Sequence, residues 1–327
     1  MTSAPLDQVR GLEDYWQRGT FRAPPRPEAA AADHLLLAVL GLGIEQTMLH
    51  LGRERPDLAS FQEWILTTAG PPDGEALARY HAALDDAPPP AATAARLTAL
   101  DAMPPVLAPA ERERFERDGY AILAAAIGPD EAEGAAAAVL AATGADPTDP
   151  GTWGGPRTNG IMVQLFQHPA LEVARRSARV HKAFAEVWGT TDLWMTTDRA
   201  SFSPPLLPGQ SFAPPRLHWD VSLTRPIPFA TQGILYLVDT DEEQGALELV
   251  PGFHHRIDAW LDSLGDTDPR AVDLSAEAIR VPAEAGSLII WRQDLPHGAS
   301  PNRADRPRVA QYVNMFPADL RQQLDWR

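Results

Sequence analysis

Cysteine is absent from all 327 residues of the chain. Its absence excludes disulfides, zinc–thiolate sites, iron–sulfur clusters and cysteine nucleophiles. A metal ion bound by this protein must therefore be held by histidine and carboxylate side chains.

The sequence also lacks an apolar run long enough to cross a bilayer. The longest run, between Leu35 and Leu51, is interrupted by Glu45, Gln46 and His50. No apolar signal segment is visible near the N-terminus. We expect a cytoplasmic protein without a membrane partner.

Positive charge is scarce, because 28 Lys and Arg residues stand against 44 Asp and Glu residues, for a net charge of −16. An acidic surface repels nucleic acids and anionic lipids, so we expect neither as a partner. A small-molecule substrate remains compatible with this charge, since a few arginines can dominate one pocket. The composition leaves the oligomeric state open, a homo-oligomer included.

The chain divides into two regions whose sequence patterns differ. Residues 1–105 look helical, with apolar residues at three- and four-residue steps over 34–51 and further helices predicted at 60–67 and 74–84. We interpret this region as either a lid over the substrate pocket or a stabilising layer.

Residues 106–327 form the second region, with helices predicted at 110–117, 130–142 and 168–188. The rest consists of short β-rich runs separated by proline and glycine, which favours an antiparallel sandwich or barrel. We therefore expect a mainly β fold with flanking helices. The predicted strands are 120–123, 161–166, 193–203, 216–223, 233–238, 246–250, 287–291 and 308–316.

Three side chains are candidates for a metal site. His218 and Asp220 are two residues apart, so on a strand they point to the same face. His297 follows an apolar strand much later in the chain. Two histidines and one carboxylate leave coordination positions open, the arrangement that non-haem iron(II) oxygenases use.

An arginine follows the second histidine at the start of another predicted strand. Arg308 shares a strand face with Ala310, Tyr312 and Asn314. A buried guanidinium needs a carboxylate partner, and its two-pronged geometry fits a dicarboxylate co-substrate.

At this point the sequence resembles the phytanoyl-CoA dioxygenase family of 2-oxoglutarate oxygenases, over roughly residues 110–317. Four segments carry the resemblance, with Phe253 where the family usually has Ser and Ser287 where it has Asp. These segments are FERDGYAIL (115–123), LHWD (217–220), GALELVPGFHH (245–255) and AGSLIIWRQDLPHGASPNRADRPR (285–308).

The resemblance implies a double-stranded β-helix, or jelly-roll, core that uses iron(II), 2-oxoglutarate and O2. Carried over by motif, His218, Asp220 and His297 would bind the metal, and Arg308 would bind the far carboxylate of 2-oxoglutarate. Related halogenating enzymes lack the metal carboxylate. The presence of Asp220 therefore favours hydroxylation or a related oxidation.

Further residues are weaker candidates for ligand contacts. Tyr236 would contact 2-oxoglutarate or serve as a core aromatic residue, and Arg199 would hold a substrate acid or form a structural ion pair. Five other histidines show no ligand spacing, so we expect them at the surface or at helix caps: His34, His50, His81, His168 and His181. The other candidates for the substrate pocket are Arg157, Asn159, Met162 and Gln164.

Two other functions remain open from the residues alone. One is a non-catalytic jelly-roll protein that binds a metal or acts as a sensor. The other is a cupin-type metal-dependent isomerase or hydrolase, which would need neither O2 nor an equivalent of Arg308.

Overall fold

The computed structural model describes residues 6–154, 158–206, 217–323 and 325–326, without the side chains of Thr158 and Asn159. Helices occupy more of this part of the chain than strands do. The α-helices are α1 (Leu12–Gly19), α2 (Ala30–Leu40), α3 (Ile44–Glu54), α4 (Leu58–Thr68), α5 (Gly74–Leu84), α6 (Ala91–Asp101), α7 (Pro109–Asp118), α8 (Pro129–Thr143), α9 (Pro169–Arg176), α10 (Ala178–Trp188) and α11 (Ile257–Ser263).

The strands are short and pair in antiparallel fashion, which confirms the predicted antiparallel core with flanking helices. A seven-stranded sheet has the order β1-β9-β6-β11-β5-β3-β2, beside a three-stranded sheet β10-β7-β8 and the pair β12-β4. The strands are β1 (Tyr120–Leu123), β2 (Thr158–Asn159), β3 (Met162–Val163), β4 (Leu193–Met195), β5 (Ala200–Ser203), β6 (Thr231–Tyr236), β7 (Leu247–Leu249), β8 (Ile279–Val281), β9 (Leu288–Arg292), β10 (His297–Ala299), β11 (Arg308–Tyr312) and β12 (Met315–Pro317).

The single helix predicted over 34–51 is wrong, because the chain turns sharply between α2 and α3. Gly41 ends α2 in the left-handed conformation, with φ 65°, and Gly43 precedes α3 in an extended conformation. The two helical segments meet at 98°. Among the described residues no single helix is long and apolar enough to span a membrane, although this bent pair meets the length and composition together.

Other predicted boundaries also need correction. The helix expected over 168–188 is two helices, because Ser177 ends α9 and its hydroxyl accepts a hydrogen bond from the Val180 N–H to cap α10. The strand expected over 216–223 is absent from residues 217–223, where a single backbone bridge joins His218 to His297. Trp219 packs into the core there, and its indole N–H donates to the Asp294 carbonyl.

The N-terminal helices share a hydrophobic core with the β region. Buried side chains such as Leu36, Phe61 and Tyr80 form one cluster with Trp194 of β4 and Phe316 of β12. Arg79 of α5 adds a cation–π contact, with its guanidinium carbon 3.8 Å from the Trp194 ring centroid. The helical region is therefore packed directly against β4 and β12 of the β region.

Candidate metal centre and adjoining cavity

Backbone pairing brings two distant histidines together. The His218 N–H donates to the His297 carbonyl at 2.9 Å, and the His297 N–H donates back at 3.0 Å. Asp220 completes the group, with its carboxylate oxygens 3.4 Å from His218 Nε2 and 3.3 Å from His297 Nε2. One ligand atom from each residue lies within 4.8 Å of the others, so the three side chains can reach one ion.

Hydrogen bonds orient the side chains of this group. His297 Nδ1 lies 3.1 Å from the Leu295 carbonyl, which can only accept, so Nδ1 donates to it and Nε2 faces Asp220. Burial raises the pKa of the Asp220 carboxyl, but its hydrogen bonds with His218 and His297 outweigh burial and hold that pKa well below its usual range. The site therefore presents an anionic oxygen next to imidazole nitrogens, a donor set that fits iron(II).

Gln232 is a neighbour of this group that the sequence did not suggest. It lies on β6, and its amide Nε2 donates to Asp220 Oδ2 at 2.6 Å. Its own Oε1 is buried without a hydrogen-bond partner among the described residues. Gln232 therefore restrains the carboxylate that would bind the metal, a contact that depends on strand register and is not visible as a motif.

Arg308 opens onto the same cavity as the three metal-ligand candidates. It is only 1% exposed, and its Nη2 donates to the Ser201 hydroxyl at 2.9 Å. Its Nε has no hydrogen-bond partner, and no carboxylate lies within ion-pair distance of its guanidinium, among the described residues. A buried cation in this state needs an anionic ligand.

Tyr236 lies in the core and not at the cavity wall, which corrects the predicted contact with 2-oxoglutarate. Its hydroxyl donates to the Val281 carbonyl at 3.0 Å and accepts from the Leu247 N–H at 2.8 Å. Burial raises the pKa of Tyr236 to about 12. Both hydroxyl functions are used by the backbone, whereas Tyr312 of β11 does line the cavity.

Arg199 lines the cavity but already has a carboxylate partner. It forms an ion pair with Glu45 of α3, so the structural alternative for Arg199 holds, with a partner that the sequence did not indicate. Met162 also lines the cavity, as expected. Gln164 is exposed and does not, while Arg157 and the side chain of Asn159 lie outside the described residues.

The cavity has a volume of about 700 Å³ and reaches from Arg308 to the N-terminal helices. His34 of α2 is one of its walls, which corrects the expectation that this histidine is a surface or capping residue. His168 does cap a helix, since its Nδ1 accepts from the Ala170 N–H, but His181 is buried at 7% exposure.

A family model described as phytanoyl-CoA dioxygenase (PhyH) matches residues 102–310. The chain belongs to the phytanoyl-CoA dioxygenase family. The match includes the whole predicted metal site and Arg308, and it leaves Glu45, His34 and the cavity walls after residue 310 outside the family segment.

The similarity to one curated relative covers a smaller part of the chain than the family model does. A putative phytanoyl-CoA dioxygenase of Dictyostelium discoideum is 32% identical over 93 residues, which cover 26% of this chain. The chain spans about a quarter, 27%, of the length of that curated relative.

Two solved structures are similar to this chain at low identity. EvdO2 from Micromonospora carbonacea var. aurantiaca, complexed with 2-oxoglutarate, is 21% identical, with a TM-score of 0.48 over 68% of this chain and 95% of that one. The non-haem α-ketoglutarate-dependent carbocyclase SnoK from nogalamycin biosynthesis is 19% identical, with a TM-score of 0.48 over 65% and 85%.

Proposed function

We propose that this protein is an iron(II)- and 2-oxoglutarate-dependent dioxygenase that hydroxylates, or otherwise oxidises, a C–H bond of a small molecule. The observation that carries the proposal is Arg308. Its guanidinium is buried on the same cavity as the two histidines and Asp220, and no described carboxylate neutralises it. A dicarboxylate that spans from Arg308 toward the metal-ligand candidates would satisfy both ends of the site.

The protein's own residues would bind and orient the reactants. His218, Asp220 and His297 would hold the metal from one side, and Gln232 would keep the Asp220 carboxylate from rotating. Arg308 and the Ser201 hydroxyl would fix the far carboxylate of 2-oxoglutarate. The bound iron would supply the activation of O2, coupled to oxidative decarboxylation of 2-oxoglutarate to succinate.

The remaining cavity would hold the substrate and exclude water. Its walls combine apolar side chains from α2, α3 and β12 with uncharged polar groups such as Gln293 and Asn314. No general base is required of the protein, because the cofactor carries the chemistry.

The direct test is O2 uptake and succinate formation with iron(II) and 2-oxoglutarate. We expect Asp220→Asn and His297→Ala to abolish succinate formation because each removes one of three ligands. His255→Ala is the matched histidine control, since its ring contacts backbone carbonyls of α7. Ligand variants that turn over as fast as the parent would refute the proposal.

A second arm tests Arg308. We expect Arg308→Gln to raise the KM for 2-oxoglutarate by at least about tenfold, since a buried charged contact is lost. Arg306→Gln is the control, because that exposed arginine pairs with Gln244 and Asp241. A chain that binds iron but never consumes 2-oxoglutarate would instead favour a metal-binding sensor or a cupin-type isomerase or hydrolase.

A further inference from the structure

Two segments outside the family match line part of the cavity, namely the bend between α2 and α3 and the chain from β12 onward. The apolar side chains that these segments bring to the cavity are Leu37, Leu42, Ile44, Met315, Phe316 and Leu320. A ligand that fills this space must therefore expose apolar surface to it.

The ion pair between Glu45 and Arg199 crosses the boundary of the family segment. Arg199 lies between β4 and β5, inside residues 102–310, whereas Glu45 comes from α3. Their side chains are 22% and 35% exposed, so solvent screens the pair only in part. Within the family segment Arg199 offers a cation to the cavity, and the N-terminal region cancels it.

Burial also disfavours charge on other titratable groups of the cavity wall. It raises the pKa of the Asp198 carboxyl and lowers the pKa of the His34 imidazole. Arg321 is exposed at the rim, where water and salt screen its charge. Uncharged hydrogen-bonding groups remain, such as Thr231 and Asn314.

We propose that this site takes an uncharged, largely apolar small molecule with hydroxyl or carbonyl groups, and that Glu45 determines this specificity by neutralising Arg199. The proposal rests on the proposed function in taking this cavity as the substrate site. In this arrangement a substrate carboxylate meets the Glu45 carboxylate instead of a free guanidinium, and like charges repel.

The competing explanation is that Glu45 occupies the place of a substrate carboxylate, which would displace it from Arg199. The two explanations predict different charge preferences for the parent. Our proposal expects the parent to prefer an uncharged ligand, whereas the displacement explanation expects the parent to bind a carboxylate and to lose it on Arg199→Gln. Glu45→Gln and Arg199→Gln are close in size to the parent residues, so they change charge more than packing.

The experiment measures binding of two matched probes, 4-phenylbutanamide and 4-phenylbutanoate, to the full chain by isothermal titration calorimetry at neutral pH. Manganese(II) and saturating 2-oxoglutarate are present, so that the carboxylate probe is kept from Arg308. The parent, Glu45→Gln, Arg199→Gln and the double variant are compared after thermal unfolding has verified that each is folded.

We expect the parent to bind the amide at least about tenfold more tightly than the carboxylate, a difference of about 1.4 kcal/mol. Glu45→Gln should bind the carboxylate at least about tenfold more tightly than the parent does, and adding Arg199→Gln should remove that gain. This pattern assigns the charge preference to the pair.

Three results would overturn the proposal. The parent could bind the carboxylate as well as the amide and lose it on Arg199→Gln, as the displacement explanation requires. Glu45→Gln could leave the preference unchanged, or the amide could fail to bind the parent. None of these depends on turnover, so a failure here is distinct from an absence of succinate formation.

Discussion

At the scale of single residues, Gln232 offers a test of how the metal site is held. Gln232→Leu removes the 2.6 Å hydrogen bond to Asp220 while keeping a similar volume. Loss of such a supporting hydrogen bond lowers metal affinity by about 10- to 100-fold, and we expect that effect here. Competition titration of manganese(II) against a chromogenic chelator would measure it without relying on activity.

Gln17→Leu is the matched control for Gln232, because Gln17 forms its side-chain hydrogen bond to Glu13 on the surface of α1. Gln232→Glu provides a second measurement of manganese(II) affinity. A carboxylate at this position would repel Asp220 and remove the hydrogen bond that holds it in place. Equal metal affinity in the parent and in Gln232→Leu would show that Asp220 needs no support from β6.

The grouping of the three metal-ligand candidates could be predicted from the sequence, whereas their supporting contacts could not. His218 and Asp220 form a local motif and His297 follows an apolar run, although the segment around His218 forms a single backbone bridge and not the strand that the prediction assumed. Gln232 and Glu45 carry no such pattern, since their contacts arise from strand register and from packing between distant segments. The core alternative for Tyr236 could not be chosen from the sequence, because strand position alone does not reveal two backbone partners for its hydroxyl.

At the scale of secondary-structure elements, the bend between α2 and α3 depends on close packing at Gly43. A Cβ atom there would lie 2.6 Å from the Phe166 ring and 3.1 Å from the Thr197 carbonyl oxygen. The φ of −76° at Gly43 suits any residue, so the cost of Gly43→Ala is mainly steric. We expect it to lower the free energy of unfolding by about 1–3 kcal/mol in urea denaturation.

Gly52→Ala is the matched control within α3. A Cβ atom at Gly52 meets no atom within 4 Å, and alanine is the better helix former. We expect this change to raise the free energy of unfolding by about 0.5–1 kcal/mol. Equal stability of the two alanine variants would contradict the close packing of Gly43 against the Phe166 ring.

The same bend marks the limit of periodicity as a guide to helices. Apolar residues continue at helical spacing through 34–51, but Gly41 and Gly43 let the chain turn where α3 must pack against the β region. The helix predicted at 74–84 is confirmed as α5, and the Asp73 side chain caps its N-terminus. Periodicity thus located the buried face of α2, but in α3 it included Ile44 and Met48, which are exposed. It also missed the break, which depends on the tertiary neighbour Phe166.

At the scale of the whole molecule, a truncation can show whether residues 1–105 act as a lid or as a stabilising layer. A truncation that starts at Pro105 would expose Trp194 and Phe316, which are buried in the cluster they share with these helices. We expect the truncated chain to lose cooperative folding. Circular dichroism during thermal unfolding is the measurement.

A second truncation with Trp194→Lys and Phe316→Lys serves as the control for simple aggregation. If it regains a cooperative transition, the helices act mainly as a cover over an apolar face. If both truncations fold and produce succinate, the region is a lid, and the stabilising-layer interpretation is wrong.

The cavity has one further consequence for how this protein can change over time. The metal-ligand candidates and Arg308 come from strands and loops of the family segment, whereas part of the cavity wall comes from other stretches of the chain. Mutation can therefore remodel that part of the wall while the metal-ligand candidates and Arg308 stay in place. A new ligand preference then requires neither a new fold nor a new cofactor.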